Sequence, residues 1–275
     1  MDLGHVLWIG GPQGSGKSAI ARALSRRFDL QLYVVDWRTW AHEQRMPATE
    51  FRSLSMDERW VDATPAQMLD WFVTTSRHRF RLVLEDLRDL PDSPLAVVEG
   101  PQLFPASVAA VLRSPDHALF LLPDLDEQRT RLLERGPIPG TSDGVRARLN
   151  ATERDLLIAR RFGYEAADLR LKALRVDAPL DAMIERAVEY FRPVIEAGPR
   201  EVDLATIRRF ENDVLATQVR LYRESLGALK PRDATLPFSC ECGASGCAAE
   251  IELTLDEYDA LSAAGDRSPL RRPTP

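Results

Sequence analysis

Gly11-Pro12-Gln13-Gly14-Ser15-Gly16-Lys17-Ser18 is the stretch that decides the fold. Before it, Val6-Leu7-Trp8-Ile9 is a short apolar run of the kind a buried parallel strand shows. After it, Ala19, Ile20, Ala23, Leu24 and Phe28 recur at helical spacing. Strand, glycine loop and helix is the order a phosphate-cradling P-loop requires. Gly11, Gly14 and Gly16 let the backbone curl so that successive N–H groups point at an anion. The helix start, with Pro12, Gln13 and Ser15 in the loop before it, adds its positive dipole end. Lys17 then reaches the β- and γ-phosphates of ATP, and Ser18 offers a hydroxyl to Mg²⁺. Arginine carries nearly all the positive charge, and the only lysines are Lys17, Lys172 and Lys230, so a lysine at this motif position is informative. The bland alternative, a glycine-rich turn with an incidental lysine, does not account for the flanking strand and helix.

Further along, Leu32-Tyr33-Val34-Val35 predicts a second strand ending at Asp36, nineteen residues after Lys17. Leu95-Ala96-Val97-Val98 predicts a third, ending in Glu99-Gly100. Ala118 to Leu122 predicts a fourth, followed by a helix from about Asp124 to Arg135. Leu174-Arg175-Val176 predicts a fifth, ending at Asp177, with an amphipathic helix from Leu180 to Ile195 behind it. The expected class is α/β: a five-stranded parallel sheet with helices on both faces, spanning 1–198. Carboxylates at strand ends fall on the ligand-binding edge of such a sheet. Glu99 is therefore a candidate Mg²⁺ ligand beside Ser18, and Asp36 a candidate acceptor of a substrate proton. For Asp36 the plainer use is a helix N-cap.

Residues 37–92 carry no strand pattern and read as a helical insertion placed to hold an acceptor. Trp37, Trp40, Trp60 and Trp71, with Arg38, His42, Arg45, Arg59 and Arg77, suit a planar or anionic molecule. Core packing is the competing use for at least two of the tryptophans. Residues 129–175 hold eleven basic and six acidic residues in an otherwise acidic chain. Arg129, Arg131, Arg135, Arg146, Arg148, Arg154, Arg160 and Arg161 flank a Gly/Pro-rich loop at 136–144, the pattern of a lid over 129–161 that closes on transferring phosphate. Arg129 and Arg135 are the catalytic candidates among them, and for any single arginine a solvated helix face is the alternative.

By these features the chain resembles the shikimate-kinase and chloramphenicol-phosphotransferase branch of the nucleoside-monophosphate-kinase-like P-loop proteins. The carriers are residues 11–18, the strand end at Asp36, the arginine-bearing lid and Val176-Asp177-Ala178-Pro179. The resemblance covers about 3–197, and only its P-loop is highly specific. It implies that Asp36 contacts or deprotonates an acceptor hydroxyl, and that the loop Asp177 to Leu180 packs near adenine. A closer likeness is to uncharacterised actinobacterial P-loop proteins. They share Leu-Tyr-x-x-Asp, Asp-Glu-Arg-Trp and Glu-Gly-Pro-x-Leu-x-Pro, here at 32–36, 57–60 and 99–105. Shikimate kinases place glycines after the third strand, where this chain has Glu99-Gly100-Pro101, which argues against shikimate as the acceptor. The Asn-Lys-x-Asp guanine reader of GTPases is missing from the sequence.

Beyond Gly198-Pro199, residues 202–229 read as one long helix with an apolar stripe at Val214, Leu215, Val219 and Leu226, docking on the kinase unit or on a second copy as a homodimer. A small module at 231–263 contains all three cysteines, Cys240, Cys242 and Cys247, then a strand at 249–253 and a capping-box helix start at Thr254-Leu255-Asp256-Glu257. It resembles a Cys-x-Cys-Gly-x-x-x-Cys module recurrent in actinobacterial proteins. Three cysteines leave a zinc knuckle one ligand short, so packed or redox-active thiols are preferred over zinc at this point. Residues 264–275 read as a disordered tail.

The net charge of −6 argues against general nucleic-acid binding. No apolar run approaches the roughly 18 residues of a membrane span. The first residues lack a basic leader, and the clustered, odd cysteine set does not make a secreted disulfide framework, so the expected compartment is cytoplasmic. Three functions fit: an ATP- and Mg²⁺-dependent kinase acting on a small-molecule hydroxyl (an antibiotic, nucleoside or other metabolite), a nucleoside-monophosphate kinase, and an ATP-binding regulator with slow hydrolysis.

Overall fold

In a computed structural model, which describes residues 3–47, 50–199, 203–226 and 234–271, the five apolar runs are five parallel strands. They are β1 (Val6–Gly10), β2 (Gln31–Val34), β3 (Ala96–Gly100), β4 (Ala118–Pro123) and β5 (Ala173–Val176). Their order is β2-β3-β1-β4-β5. β1 thus lies between β3 and β4, and the glycine loop leaves the centre of the carboxyl edge. α1 (Lys17–Arg27) starts at that edge.

The side-chain period of two divides the strands between two cores. Trp8, Tyr33, Val98 and Phe120 meet Phe80, Val83, Ile158 and Phe162 on one face. Leu7, Ile9, Leu32, Val97 and Leu119 meet Leu24, Met183, Val188 and Phe191 on the other. β1, β3 and β4 are buried on both faces and run as nearly continuous apolar segments, which is why they were readable, whereas β5 is only half-buried and exposes Arg175.

The insertion is helical as expected: α2 (Thr39–Arg45), α3 (Glu50–Ser53) and the long α4 (Pro65–Arg88). Thr64 and Gln67 make a reciprocal capping box at the start of α4, with Pro65 in the first turn. α5 (Pro105–Ala109) follows β3. The arginine-rich stretch 129–161, expected to act as a lid, falls on α6 (Leu125–Leu133), capped by Asp124, and α7 (Gly144–Asp168), capped by Asp143. α8 (Leu180–Ala197) runs through Pro193 and ends at Ala197, two residues beyond the expected Ile195, with Gly198 as its C-cap.

The long helix is α9 (Leu204–Leu226), and the ends expected for it at 202 and 227–229 lie outside the described residues. Its buried face is turned to its own chain. Leu215 and Ala216 pack with Phe238, Leu255, Tyr258 and Leu270. The cysteine module is an antiparallel hairpin, β6 (Thr235–Ser239) with β7 (Glu250–Thr254), and α10 (Leu255–Ala264) carries the expected capping box. β6 was not foreseen, because Pro237 sits inside it and a proline argues against a strand. A two-stranded hairpin tolerates it because only one side of each strand is paired. The expected tail is also corrected for 264–271: Leu270 is fully buried in the module core, and Arg267 donates to Glu241 and Tyr258. Positions 272–275 lie outside the described residues.

The module is fastened to the sheet by buried charge. Glu211 of α9 accepts from Arg26 (3.0 Å) and Arg208 (2.8 Å), all three side chains being almost fully buried. The other partner of Glu211 is the Leu32 backbone N–H (2.9 Å), on the outer side of the edge strand β2. Arg26 also donates to Ser239 Oγ of β6. Breaking one partner of such a pair strands a buried charge. Glu211→Gln is expected to lower stability by about 3 kcal/mol, read as a fall in the urea midpoint at unchanged m-value.

Candidate functional site

Gly16 caps α1 in the left-handed region (φ 81°) and supplies no side chain to the first turn. The leading N–H groups of α1 are therefore left for a ligand, and no acidic residue stands in that turn. Gly11 (φ 153°) is fixed sterically, since a Cβ there would lie 2.8 Å from both the Leu121 carbonyl and Ser15 Oγ. Ser15 Oγ is buried without a partner, and Lys17 is 6% exposed. From the lid side, Gln128 Nε2 donates to the Gln13 carbonyl (2.9 Å) and Arg135 to Gln13 Oε1 (3.1 Å).

Glu99 sits in register with Ile9 and Val34, so it points to the α1 face of the sheet. It is 1% exposed, and neither oxygen has a hydrogen-bond partner of ordinary geometry. Burial pushes its pKa up to about 7; Lys17, Ser18 and Arg22 draw it down, and Asp36 adds to the rise. Two unpartnered oxygens beside the exposed Ser18 hydroxyl form a hard-oxygen donor set that fits Mg²⁺.

Asp36 stands at the end of β2 with half its side chain exposed. Gln102 Nε2 donates to it at 2.9 Å, and Arg79 lies 4.0 Å away. Its carboxylate caps no helix, since the short helical turn 35–38 has no side-chain cap. Arg79 of α4 is buried and clamps the strand end, donating to the Val35 carbonyl (2.6 Å) and Thr39 Oγ1 (3.0 Å). Neither Gln102 nor Arg79 was singled out from sequence. Gln102 was legible only as the unspecified position of Glu-Gly-Pro-x-Leu, and nothing local distinguished Arg79 from its neighbours on α4.

The remaining candidates divide. Val176, Ala178, Pro179, Leu180 and Ile20 line a cavity of about 310 Å³ together with Gly14, Ser15 and Gly16, an apolar surface suited to a nucleobase. Asp177 itself is not in this wall: it pairs with Arg186 (2.5 Å) and borders a separate cavity with Arg160 and Arg175. Arg129 borders that second cavity too and pairs with Glu153. Arg131 does face the P-loop cavity. Arg148 donates to the Gly136 carbonyl (2.6 Å), and Arg154 pairs with the buried Asp155 (2.7 Å) and lies over Trp60. Burial raises the pKa of Asp155 against the pull of Arg154, Arg135 and Arg148.

The insertion meets the lid directly: Asp57 accepts from the Ser142 N–H (2.7 Å), and Asn150 donates to the Trp60 and Val61 carbonyls. Trp60 and Trp71 pack around Phe51 below it. Arg38, His42 and Arg45, read as acceptor ligands, converge instead on Asp86, with Tyr33. Burial alone would raise the Asp86 pKa, but hydrogen bonds from His42, Arg45 and Tyr33 hold it well below the carboxylate range. His42 is fully buried, and burial lowers its pKa. This cluster is structural.

No protein-family model matches the chain, and no curated protein matches it in sequence. Solved structures of similar fold include the shikimate kinase of Bacteroides thetaiotaomicron (13% identity over 68% of this chain and 98% of that one, TM-score 0.39). Others are a gluconokinase of Sinorhizobium meliloti (15%, 72% and 97%, TM-score 0.36) and a sugar kinase of a Janibacter species (18%, 69% and 96%, TM-score 0.35). At these identities they carry no substrate. Among the described residues no helix is long and apolar enough to cross a membrane.

Glu99 gives the site a pH signature. An exposed carboxyl near 4.5 ionises in the unfolded chain well before Glu99 does at about 7 in the fold. The folded state is favoured by this group below pH 4.5, and that advantage is lost as pH rises towards 7, then stays lost. Glu99→Gln is therefore expected to raise unfolding stability at pH 8 by up to about 3 kcal/mol. Near pH 4.5 it should change little. Thermal melts without nucleotide or Mg²⁺ test both arms.

Proposed function

We propose that the protein transfers the γ-phosphoryl group of ATP to a hydroxyl of a small molecule. The observation that carries the reading is Asp36: a half-exposed carboxylate, oriented by Gln102 and Arg79, on the same sheet edge as the P-loop and close enough to Glu99 to raise its pKa. A carboxylate in that place accepts a hydroxyl proton, whereas a phosphate acceptor calls for a cation there.

In this reading the N–H groups of Gly14 to Ser18 hold the phosphates, and Lys17 offsets charge on the γ-phosphoryl. Ser18 and Glu99 would hold Mg²⁺, which when bound neutralises charge on the β- and γ-phosphates. Arg135, with Arg148 and Arg154 behind it, supplies lid charge to the transferring group; Arg129 and Asp177 contribute only if their pairs with Glu153 and Arg186 open. Asp36 takes the acceptor proton, and the insertion, touching the lid at Asp57–Ser142, excludes water. Catalysis is mostly positioning and charge placement, as phosphoryl transfer demands.

Asp36→Asn is expected to lower acceptor-dependent kcat by about a hundredfold or more while leaving ATP affinity within about twofold. Near-normal turnover in that variant, with ATP still bound, would reject the base role. ADP release measured against nucleosides, sugars, antibiotics and nucleoside monophosphates discriminates the wider readings. Stimulation by hydroxyl compounds supports the proposal, stimulation by monophosphates alone assigns a nucleotide kinase, and no stimulation by any acceptor assigns a regulator.

A further inference from the structure

Cys240, Cys242 and Cys247 take no part in the phosphate site, yet their sulfur atoms all lie within 4.8 Å of one another. Cys240 follows β6 directly, and Cys242 comes two residues later, at a bend in the chain. Cys247 comes from the turn that leads back to β7. That turn is shaped by two left-handed glycines, Gly243 (φ 74°) and Gly246 (φ 69°). Within it the Ala244 N–H donates to Cys242 Sγ at 3.4 Å, and the Cys247 N–H donates to the Ala244 carbonyl at 3.3 Å. A backbone amide aimed at a sulfur in a tight turn is the geometry that steadies a thiolate ligand.

We propose that these three cysteines bind a zinc ion as thiolates, with an oxygen donor in the fourth position. Tetrahedral zinc with bonds of about 2.3 Å spaces its sulfurs about 3.8 Å apart, a separation inside the 4.8 Å within which all three sulfurs lie. A disulfide would use two sulfurs and leave the third stranded beside it. The chain has three cysteines and four histidines, His5, His42, His78 and His117, and none of the histidines joins the group, so its own sequence offers no fourth sulfur or imidazole. Cys240 is buried, while Cys242 and Cys247 are half-buried, which leaves one side of the cluster open to solvent. No carboxylate of the described residues joins the group, so oxygen from water completes the tetrahedron there. The geometry thus reverses the preference for unmetallated thiols that the sequence alone supported.

The hairpin has reason to need a staple. Its strands are five residues each, and such a hairpin is marginal alone. The metal loop is also a docking piece. Ser245 Oγ and the Gly246 N–H both donate to the Asp29 carboxylate, just past the end of α1, and Gly243 packs over Ala205 at the start of α9. Arg22, on α1 one turn beyond Ser18, pairs with Glu250 of β7. Zinc would therefore fix the hairpin on the helix that begins at the P-loop.

The test uses the full chain purified under reducing conditions. After loading with Zn²⁺ and desalting, elemental analysis is expected to find one zinc per chain. Replacing zinc with Co²⁺ should give an intense thiolate-to-cobalt charge-transfer band and tetrahedral d–d bands. Cys242→Ser and Cys247→Ser should each weaken Zn²⁺ affinity at least about tenfold. Zn²⁺ should raise the melting temperature of the wild-type chain, a readout that stands even if a variant misfolds. Less than about a tenth of an equivalent of zinc on the loaded wild type, or cobalt without a thiolate band, overturns the proposal. So does a Cys–Cys disulfide in the reduced wild type, found by alkylation and mass spectrometry.

Discussion

A carboxylate buried without a partner beside a buried ammonium is the constraint that organises this molecule. Glu99 can occupy its position only because β3 lies between β1 and β2, in register with Ile9 and Val34, and because Lys17 stands at the neighbouring strand's exit. An apolar residue at 99 would pack more comfortably. The fold instead holds unsatisfied oxygen donors at the carboxyl edge, the kind of local penalty that marks a place built for a ligand. The glycines around it follow from the same crowding. A Cβ on Gly100 would lie 2.7 Å from Val35 and 2.9 Å from the Gln102 amide oxygen, so the strand end must stay bare for Asp36 and Gln102 to meet.

The sheet and the P-loop were legible because their signals are local. A doubly covered parallel strand is a bare apolar run, and a phosphate loop has a fixed spacing of glycine, lysine and hydroxyl. Asp36 and Glu99 were legible through strand ends. What escaped reading is long-range. Gln102 reaches Asp36 across 66 positions, and Arg79 reaches Val35 across 44. The attraction of Arg38, His42 and Arg45 to Asp86 spans 41 to 48 positions, so these residues looked like ligands when they are paired with a carboxylate of α4. In the lid the sequence indicated a cationic segment but not its partition. Glu153 and Asp155 lie on α7 and decide which arginines are occupied, and the charge count alone carries no facing.

The C-terminal quarter binds to the five-stranded unit through ions as well as apolar contact. Arg26, Arg208 and Glu211 are nearly sealed, and the Glu241–Arg267 pair with Asn212 extends the network to the cysteine hairpin. Buried ion pairs add little net stability over a well-packed apolar contact, but each member is costly to strand. Such an interface specifies one docking orientation. It ties the position of the hairpin to α1, and so to the loop from which that helix springs.

The hydrogen bond from the Leu32 N–H to Glu211 has a consequence for synthesis on the ribosome. β2 is an outer strand, and its unpaired side is a template for foreign strands until something covers it. Every strand of the sheet has been made by residue 176, but the carboxylate that occupies this amide arrives at 211. During that interval the nascent chain carries a complete sheet with an open flank, followed closely by the segment that shields it. The order of elements along the chain, sheet first and cover second, makes this interval the stage at which misassembly between neighbouring nascent chains has its opening.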